Sequence, residues 1–361
     1  MARVRLRNQH LVGPVDATKA DDPAAVVARL GAMQAQEFAL ARWSIGQRAH
    51  GLDDAAVQRA FDEGRILRTH ALRPTWHFIA AADLTWIQKL TGPRVHAFNA
   101  YYYRSHGLDA GTAARTNEVI ADALRGGNTL TRIELAAALT SAGLPATGNR
   151  LAYVVMWAEL DGLIASGPMR GKQHTYALVT ERAPAQTRLD GDAALAEFTR
   201  RYFASHGPAT VKDFAWWSSL TQAQIRRGIG LLGDELASIE AGGVRYWTSA
   251  EQPTTMDSLA PAAHVLQAYD EYVIAYSESR VVMNVAGLTL DLPNANALVH
   301  PIIVDGQLAG HWRRETGPAG ITARIRPLHR WTAKRRRAID AAFARYAAFA
   351  RTPVDLHVDP V

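Results

Sequence analysis

Two glutamines separated by one alanine, Gln34-Ala35-Gln36, stand where an apolar helical pattern gives out. A glutamine amide donates and accepts hydrogen bonds and does not titrate near neutrality. A pair of them could hold a water and set carbonyl dipoles against a developing cation, but could not take a proton as a general base does. Such a pair suits a reaction whose leaving group is already activated. A purine alkylated at N7 is of that kind. It carries a positive charge and leaves its sugar readily, so the protein need only position water and favour an oxocarbenium-like state. The same pattern also describes an ordinary polar helix end. Glu37, next in the chain, is either a titratable base or a solvated surface acid.

The elements that must position these amides can be read from spacing. PAAVVARLGAMQ predicts a helix over 23–34 with Val27, Leu30 and Gln34 on one stripe. Residues i and i+2 of a helix point about 200° apart, so Gln36 joins Gln34 only if the helix ends here and the backbone turns beside a cleft. Helices at FALARWSIGQRA and DAAVQRAFDEG, then a strand pair in GRILRTHALRPTWHFIA, complete a first unit. The layout recurs over 129–180, where Thr131 and Glu134 form a capping box pattern before IELAAALTSAG. It recurs again over 192–249, with Thr221 as an N-cap. Beyond Gln252 the pattern turns to strands, in HVLQAYDEYVIAY, LVHPIIVDGQLAGHWRR and ITARIRPL. A final helix in TAKRRRAIDAAFARYAAFAR is expected to pack through Ile339, Ala342, Phe343 and Tyr346. The expected fold class is therefore α+β, mainly helical, with three tandem winged-helix units and a β-rich end. The boundaries are 1–81 (first unit with the QAQ motif), 82–126 (helical linker), 127–182, 183–250, and 251–361 with a basic terminal helix.

Composition narrows the chemistry. The 361 residues are 48% hydrophobic and 20% charged, which is globular. There is no cysteine, so thiol nucleophiles and disulfides are excluded. No apolar run is long enough to span a bilayer, and the basic start MARVRLRNQHLVG has no apolar core behind it, so a cytoplasmic, nucleoid-associated protein without a membrane partner is expected. The thirteen histidines show no HxH or HExxH spacing, and no GxxxxGK[ST] occurs, so neither a metal nor a nucleotide cofactor is expected. The net charge of +6 is unevenly placed. From His311 to Arg351 there are eleven arginines and lysines against Glu315 and Asp340, and the remainder of the chain is slightly acidic. A basic stripe on a balanced chain points to a polyanion partner.

Three pieces carry a family resemblance: MQAQ at 33–36, LRTHALRPTWHF at 67–78, and AYDEY at 268–272 with IIVDGQLAGHWRR at 302–314. In their order and spacing the chain resembles the winged-helix DNA glycosylases of the AlkZ and YcaQ family, in particular the AlkZ-like branch with its QxQ motif. The resemblance implies three winged helices around a concave basic channel for double-stranded DNA, and a small β-barrel-like part. It also implies a cofactor-free, monofunctional glycosylase for N7-alkylated purines, with interstrand crosslinks unhooked in at least one branch. By direct match Gln34 and Gln36 would be the catalytic pair. The aspartate of the YcaQ branch is absent, which argues against a carboxylate-assisted route.

The remaining candidates have two readings each. His70 and Arg73 lie in the first hairpin and could touch phosphate, while Trp76 and His77 suit core packing. Asp270 and Glu271 could polarise a water or orient an arginine, or simply pair with Arg280 or Arg313. Arg313 and Arg314 could enter a minor groove from a hairpin tip or rim, or be solvated. Lys334 and Arg335 open a run that covers a full helical turn and would add phosphate attraction without sequence reading. A non-enzymatic winged-helix regulator is the alternative. It would bind a defined sequence, usually as a dimer, whereas unequal units with a single QAQ favour a monomeric enzyme.

Overall fold

Asp22 accepts a hydrogen bond from the amide of Ala24 and Pro23 follows it, so a helix must start here. The computed structural model describes residues 1–12, 21–252, 262–289, 299–318 and 320–360. A short helix α1 (Ala2–Asn8) is followed by the capped helix α2 (Pro23–Leu30), a two-residue strand β1 (Met33–Gln34), helices α3 (Phe38–Gly46) and α4 (Asp54–Asp62), and the hairpin β2 (Ile66–Ala71) and β3 (Thr75–Ala80). These strands form an antiparallel sheet in the order β1-β3-β2. The long helix α5 (Leu84–Ser105) leads away from it.

The same succession returns as α6 (Ala110–Leu124), β4 (Leu130–Thr131), α7 (Arg132–Ser141), α8 (Gly148–Leu160), β5 (Ile164–Ser166) and β6 (Thr175–Leu178), again with the first strand beside the third. Thr131 and Glu134 do form the capping box. The segment expected to be a linker supplies α6 to this repeat: Ile120 and Leu124 are buried with Leu135 and Leu139. After α9 (Val179–Arg182) come α10 (Gly191–His206), α11 (Val211–Ser218), α12 (Gln222–Leu232) and the hairpin β7 (Leu236–Ala241) and β8 (Val244–Ser249). A single bridge, Ala209 to Trp247, stands where the other repeats have their first strand.

The C-terminal part is β9 (Ala263–Val265), α13 (Glu271–Ile274), β10 (His300–Val304), β11 (Gln307–Gly317), β12 (Gly320–Pro327), α14 (Ala333–Ala350) and β13 (Val354–Val358). The sheet runs β13-β12-β11-β10-β9, antiparallel except for the parallel pair β12 and β13. One expectation is corrected here and one strand is added. AYDEYVIAY is not a strand, because Asp270 accepts from the amide of Tyr272 and starts α13. The last residues add β13, for which VDLHV gave too short a signal. α14 packs through Ile339, Ala342, Phe343 and Tyr346, as its pattern predicts. No described helix is long and apolar enough to cross a membrane.

The first sheet is covered on both faces. Met33, Phe78 and Ile66 join Trp43, Trp312 and Phe343 in a core shared with the C-terminal sheet and α14. Leu67 and Ile79, on the other face, join Trp86, Phe198, Tyr202 and Trp217 in a core shared with α5 and the third repeat. The QAQ segment forms the edge of this sheet, at the meeting of three parts of the chain.

Candidate active site

Helix α2 stops at Leu30, four residues short of the expected end, because Gly31 takes φ +81° and turns the chain. The next residues pair with β3: Gln34 lies opposite His77, and the Ala35 amide donates to the Trp76 carbonyl at 2.7 Å. Gln36 follows in a bend, and both amides that a helix would have set apart bond the β2–β3 hairpin. Gln34 is 5% exposed and Gln36 is open to solvent.

Gln34 is held at three points. Its backbone N–H donates to Glu271 Oε1 at 2.7 Å and its carbonyl accepts from Gln267 Nε2 at 3.1 Å. Its side-chain Oε1 accepts from Arg73 Nη2 at 2.7 Å. Arginine can only donate, so this contact fixes which end of the amide is oxygen. Gln36 Oε1 accepts a longer bond, 3.4 Å, from the Trp76 amide. A carbonyl oxygen has two lone pairs, and each of these contacts uses one.

The groups behind Gln34 come from distant segments. Arg73 stands in the β2–β3 turn, where Leu72 takes φ +57°, and its Nη1 donates to the Trp217 carbonyl at 3.0 Å. Burial lowers the Arg73 pKa from the ordinary arginine value, and nearby Glu271 opposes that shift. Glu271 Oε2 accepts from Trp217 Nε1 at 2.7 Å, with His206 Nε2 3.4 Å away. His77 is fully buried, and burial with Arg73 nearby holds it well below its ordinary pKa. It accordingly stands neutral opposite Gln34, with Nδ1 on the Thr75 carbonyl at 2.9 Å.

The opposite face of β2 and β3 is structural. His70 is 7% exposed, bonds Glu159 through Nδ1 and lies 4.5 Å from the Trp76 ring. The guanidinium of Arg68 sits 4.1 Å above that ring, and its Nε donates to the Ala35 carbonyl at 2.9 Å. Burial, opposed by Glu159 and Tyr176, brings Arg68 down to about 10. The expectation that His70 touches DNA phosphate is therefore corrected: it links the first and second repeats. Asp270 does orient an arginine, as one of its two readings had it, though neither Arg280 nor Arg313. The arginine is Arg48, at 2.6 and 2.9 Å, and both side chains are fully buried. Burial raises the Asp270 pKa, and Arg48, the Tyr272 amide and the Ser44 hydroxyl outweigh it, leaving the carboxyl below its ordinary value. Glu271 accepts from the Gln34 backbone amide.

Arg313 and Arg314 lie inside β11, which continues to Gly317, so they are not at its tip; both are half-buried on alternate faces. The Glu37 carboxyl is raised by burial and lowered by Arg314. It faces His300 Nε2 at 3.7 Å. His300 Nδ1 accepts from the Ala268 amide, so its proton is on Nε2; burial, then Arg314 and Arg313, hold it down at about 4. Lys334 is exposed and Arg335 half-exposed in the first turn of α14, where the helix dipole disfavours cations.

Sequence reasoning missed Gln267, Trp217, Arg68, Glu159 and Arg48. Glu159 alone left a signal, a single acid in the apolar run VVMWAEL.

The family model described as DNA glycosylase AlkZ-like matches residues 27–349. An interstrand DNA cross-link repair glycosylase from Streptomyces sahachiroi is 24% identical over 303 residues, covering 80% of this chain and 81% of that protein. The solved structure of the Streptomyces sahachiroi DNA glycosylase AlkZ matches 99% of this chain and 98% of its own, with a TM-score of 0.80 at 20% identity.

Proposed function

The chain belongs to the AlkZ-like DNA glycosylases, and on that footing we propose that it hydrolyses the N-glycosidic bond of N7-alkylated purines in duplex DNA, including those joined as interstrand crosslinks. Gln34 and Gln36 are the catalytic pair in this reading. The observation that carries it is that both amides bond the same hairpin from one clamped edge, each carbonyl oxygen keeping one lone pair uncommitted. Together these oxygens accept both O–H bonds of one water, which turns the water's own lone pair toward the sugar C1′. As the bond breaks, its electron pair leaves with the purine and neutralises its charge. Water oxygen bonds to C1′, and the surplus proton goes to solvent. The same carbonyl dipoles stabilise the cationic sugar. Membership of a glycosylase family sets aside the regulator alternative.

We read each of the three repeats as a winged helix and their shared concave side as the DNA channel, worked by a monomer at the nucleoid. Arg313, Arg314, Lys334 and Arg335 serve phosphate contact there. The cationic first turn of α14 supports this, since the helix dipole opposes cations there.

The test is incubation with duplexes carrying either N7-methylguanine or an N7-linked interstrand crosslink, with abasic sites read as alkali-labile breaks. Gln34→Ala with Gln36→Ala is expected to abolish release while leaving affinity within about tenfold, or about 1.4 kcal/mol. A double variant that cuts at the normal rate overturns the assignment.

A further inference from the structure

Two tryptophans stand side by side in α11 and do opposite things. Trp217 is fully buried, whereas Trp216 is 49% exposed. Adjacent helical residues point about 100° apart, so one faces the core and the other leaves it. Trp216 is nevertheless not loose: its indole N–H donates to the Ile274 carbonyl at 3.0 Å, which pins one edge of the ring. The Arg73 guanidinium lies 5.9 Å from its ring centroid. That is the same guanidinium that holds Gln34 Oε1 at 2.7 Å. One side chain therefore separates an exposed, fixed indole from the candidate water-holding amide.

An exposed large aromatic, held rigid beside a polar site, costs little ordering entropy when a flat partner lands on it. Its face carries negative charge density, so a flat cation binds it better than a neutral ring of the same size. A purine alkylated at N7 is such a cation, and loses this advantage once it has left as a neutral base. We propose that Trp216 is a stacking platform for the alkylated purine, a substrate-binding residue that selects the charged base and lets the neutral product go. The identity of the charged base rests on the function proposed above; the stacking of a purine on this ring does not.

Two measurements separate the inference from that reading. The first is binding, at fixed salt, of a fully paired duplex and of one with a single unpaired purine. The wild-type protein and Trp216→Phe are expected to favour the unpaired purine by about fivefold or more, in line with the worth of one base–aromatic contact. Trp216→Leu and Trp216→Ala are expected to lose that preference. The second is single-turnover release of N7-methylguanine, which should fall about tenfold or more in Trp216→Leu and Trp216→Ala and stay within about threefold in Trp216→Phe. Phenylalanine keeps the ring but not the bond to Ile274, and leucine keeps apolar bulk but has no π face. A leucine variant that behaves as wild type, or a phenylalanine variant as impaired as alanine, overturns the platform. Wild-type protein that prefers the unpaired purine yet releases no base overturns the proposed function and leaves the platform standing.

Discussion

At the scale of single residues, the proposed chemistry turns on groups that do not titrate. Glutamine has no pKa in the working range, and burial holds His77 and His206 below their ordinary values. Base release is expected to stay flat from about pH 6 to about pH 9, without the rising limb near 6.5 that a histidine base would give. A pH profile of single-turnover release checks this. Arg73 is the other decisive residue. Its planar fork reaches Gln34 Oε1 and the Trp217 carbonyl at once, which the point charge of lysine cannot do. Arg73→Lys is therefore expected to slow release by about 10²-fold, the scale of a misplaced reacting group, with DNA affinity nearly kept. Comparing kcat with Kd for that variant decides it. Gln34 and Gln36 were legible as candidates through the family resemblance, because the bare pattern fits a polar helix end as well. Arg73 was legible only as a cation near the site, since nothing local says that Trp217 will offer it a carbonyl.

At the scale of elements, the position of the motif depends on where α2 ends. Gly31 adopts φ +81° and ψ −50°, and a Cβ there would stand 3.3 Å from the Phe198 ring. Gly31→Ala is expected to cost on the order of 1–3 kcal/mol in thermal unfolding and to lower release, because β1 would start from a shifted residue. The buried pair Arg48–Asp270 ties α3 to the start of α13, and so fixes Glu271 behind Gln34. Arg48→Ala leaves an unpaired buried carboxylate, which is expected to cost about 3–5 kcal/mol by denaturant titration. The pH dependence has a definite sign. Asp270 is depressed in the folded state, so its contribution is complete above the ordinary carboxylate pKa of about 4 and is lost as pH falls through the lower, folded value. Acid titration of wild type should therefore show destabilisation below about pH 4, and this part of it should be absent in Asp270→Asn. AYDEY read as a strand by composition. It became a helix start because Asp270 both caps α13 and answers Arg48, a partner 222 positions away.

At the scale of the whole molecule, the proposed reading has the basic residues serve attraction and not the reading of bases. Lys334 and Arg335 stand where the dipole of α14 opposes them, and Arg313 and Arg314 lie on opposite faces of β11. Each of these that neutralises a phosphate should, on replacement by glutamine, lower the slope of log K against log salt by about 0.9, with equal losses on different sequences. Fluorescence anisotropy at several salt concentrations checks both parts. An unchanged slope for all four would remove them from the DNA-facing surface. The first repeat holds the motif, but the third repeat and the C-terminal part complete it: Trp217 comes from α11, and Gln267 and Glu271 come from the segment before β10.

The amino-acid sequence alone determined the repeating layout of helices and hairpins, the caps at Thr131 and Thr221, the apolar stripe of α14 and the identity of the two amides. All of these are set by neighbours within a few positions, through periodicity and local hydrogen bonding. Tertiary structure decided that Gln34 and Gln36 both reach one hairpin, because a strand edge exists only once β3 is there to pair with it. It also decided that His70 and Asp270 are interior groups and that Trp216 remains outside. Burial and charge pairing depend on which distant segments arrive, and spacing along one chain carries no record of that.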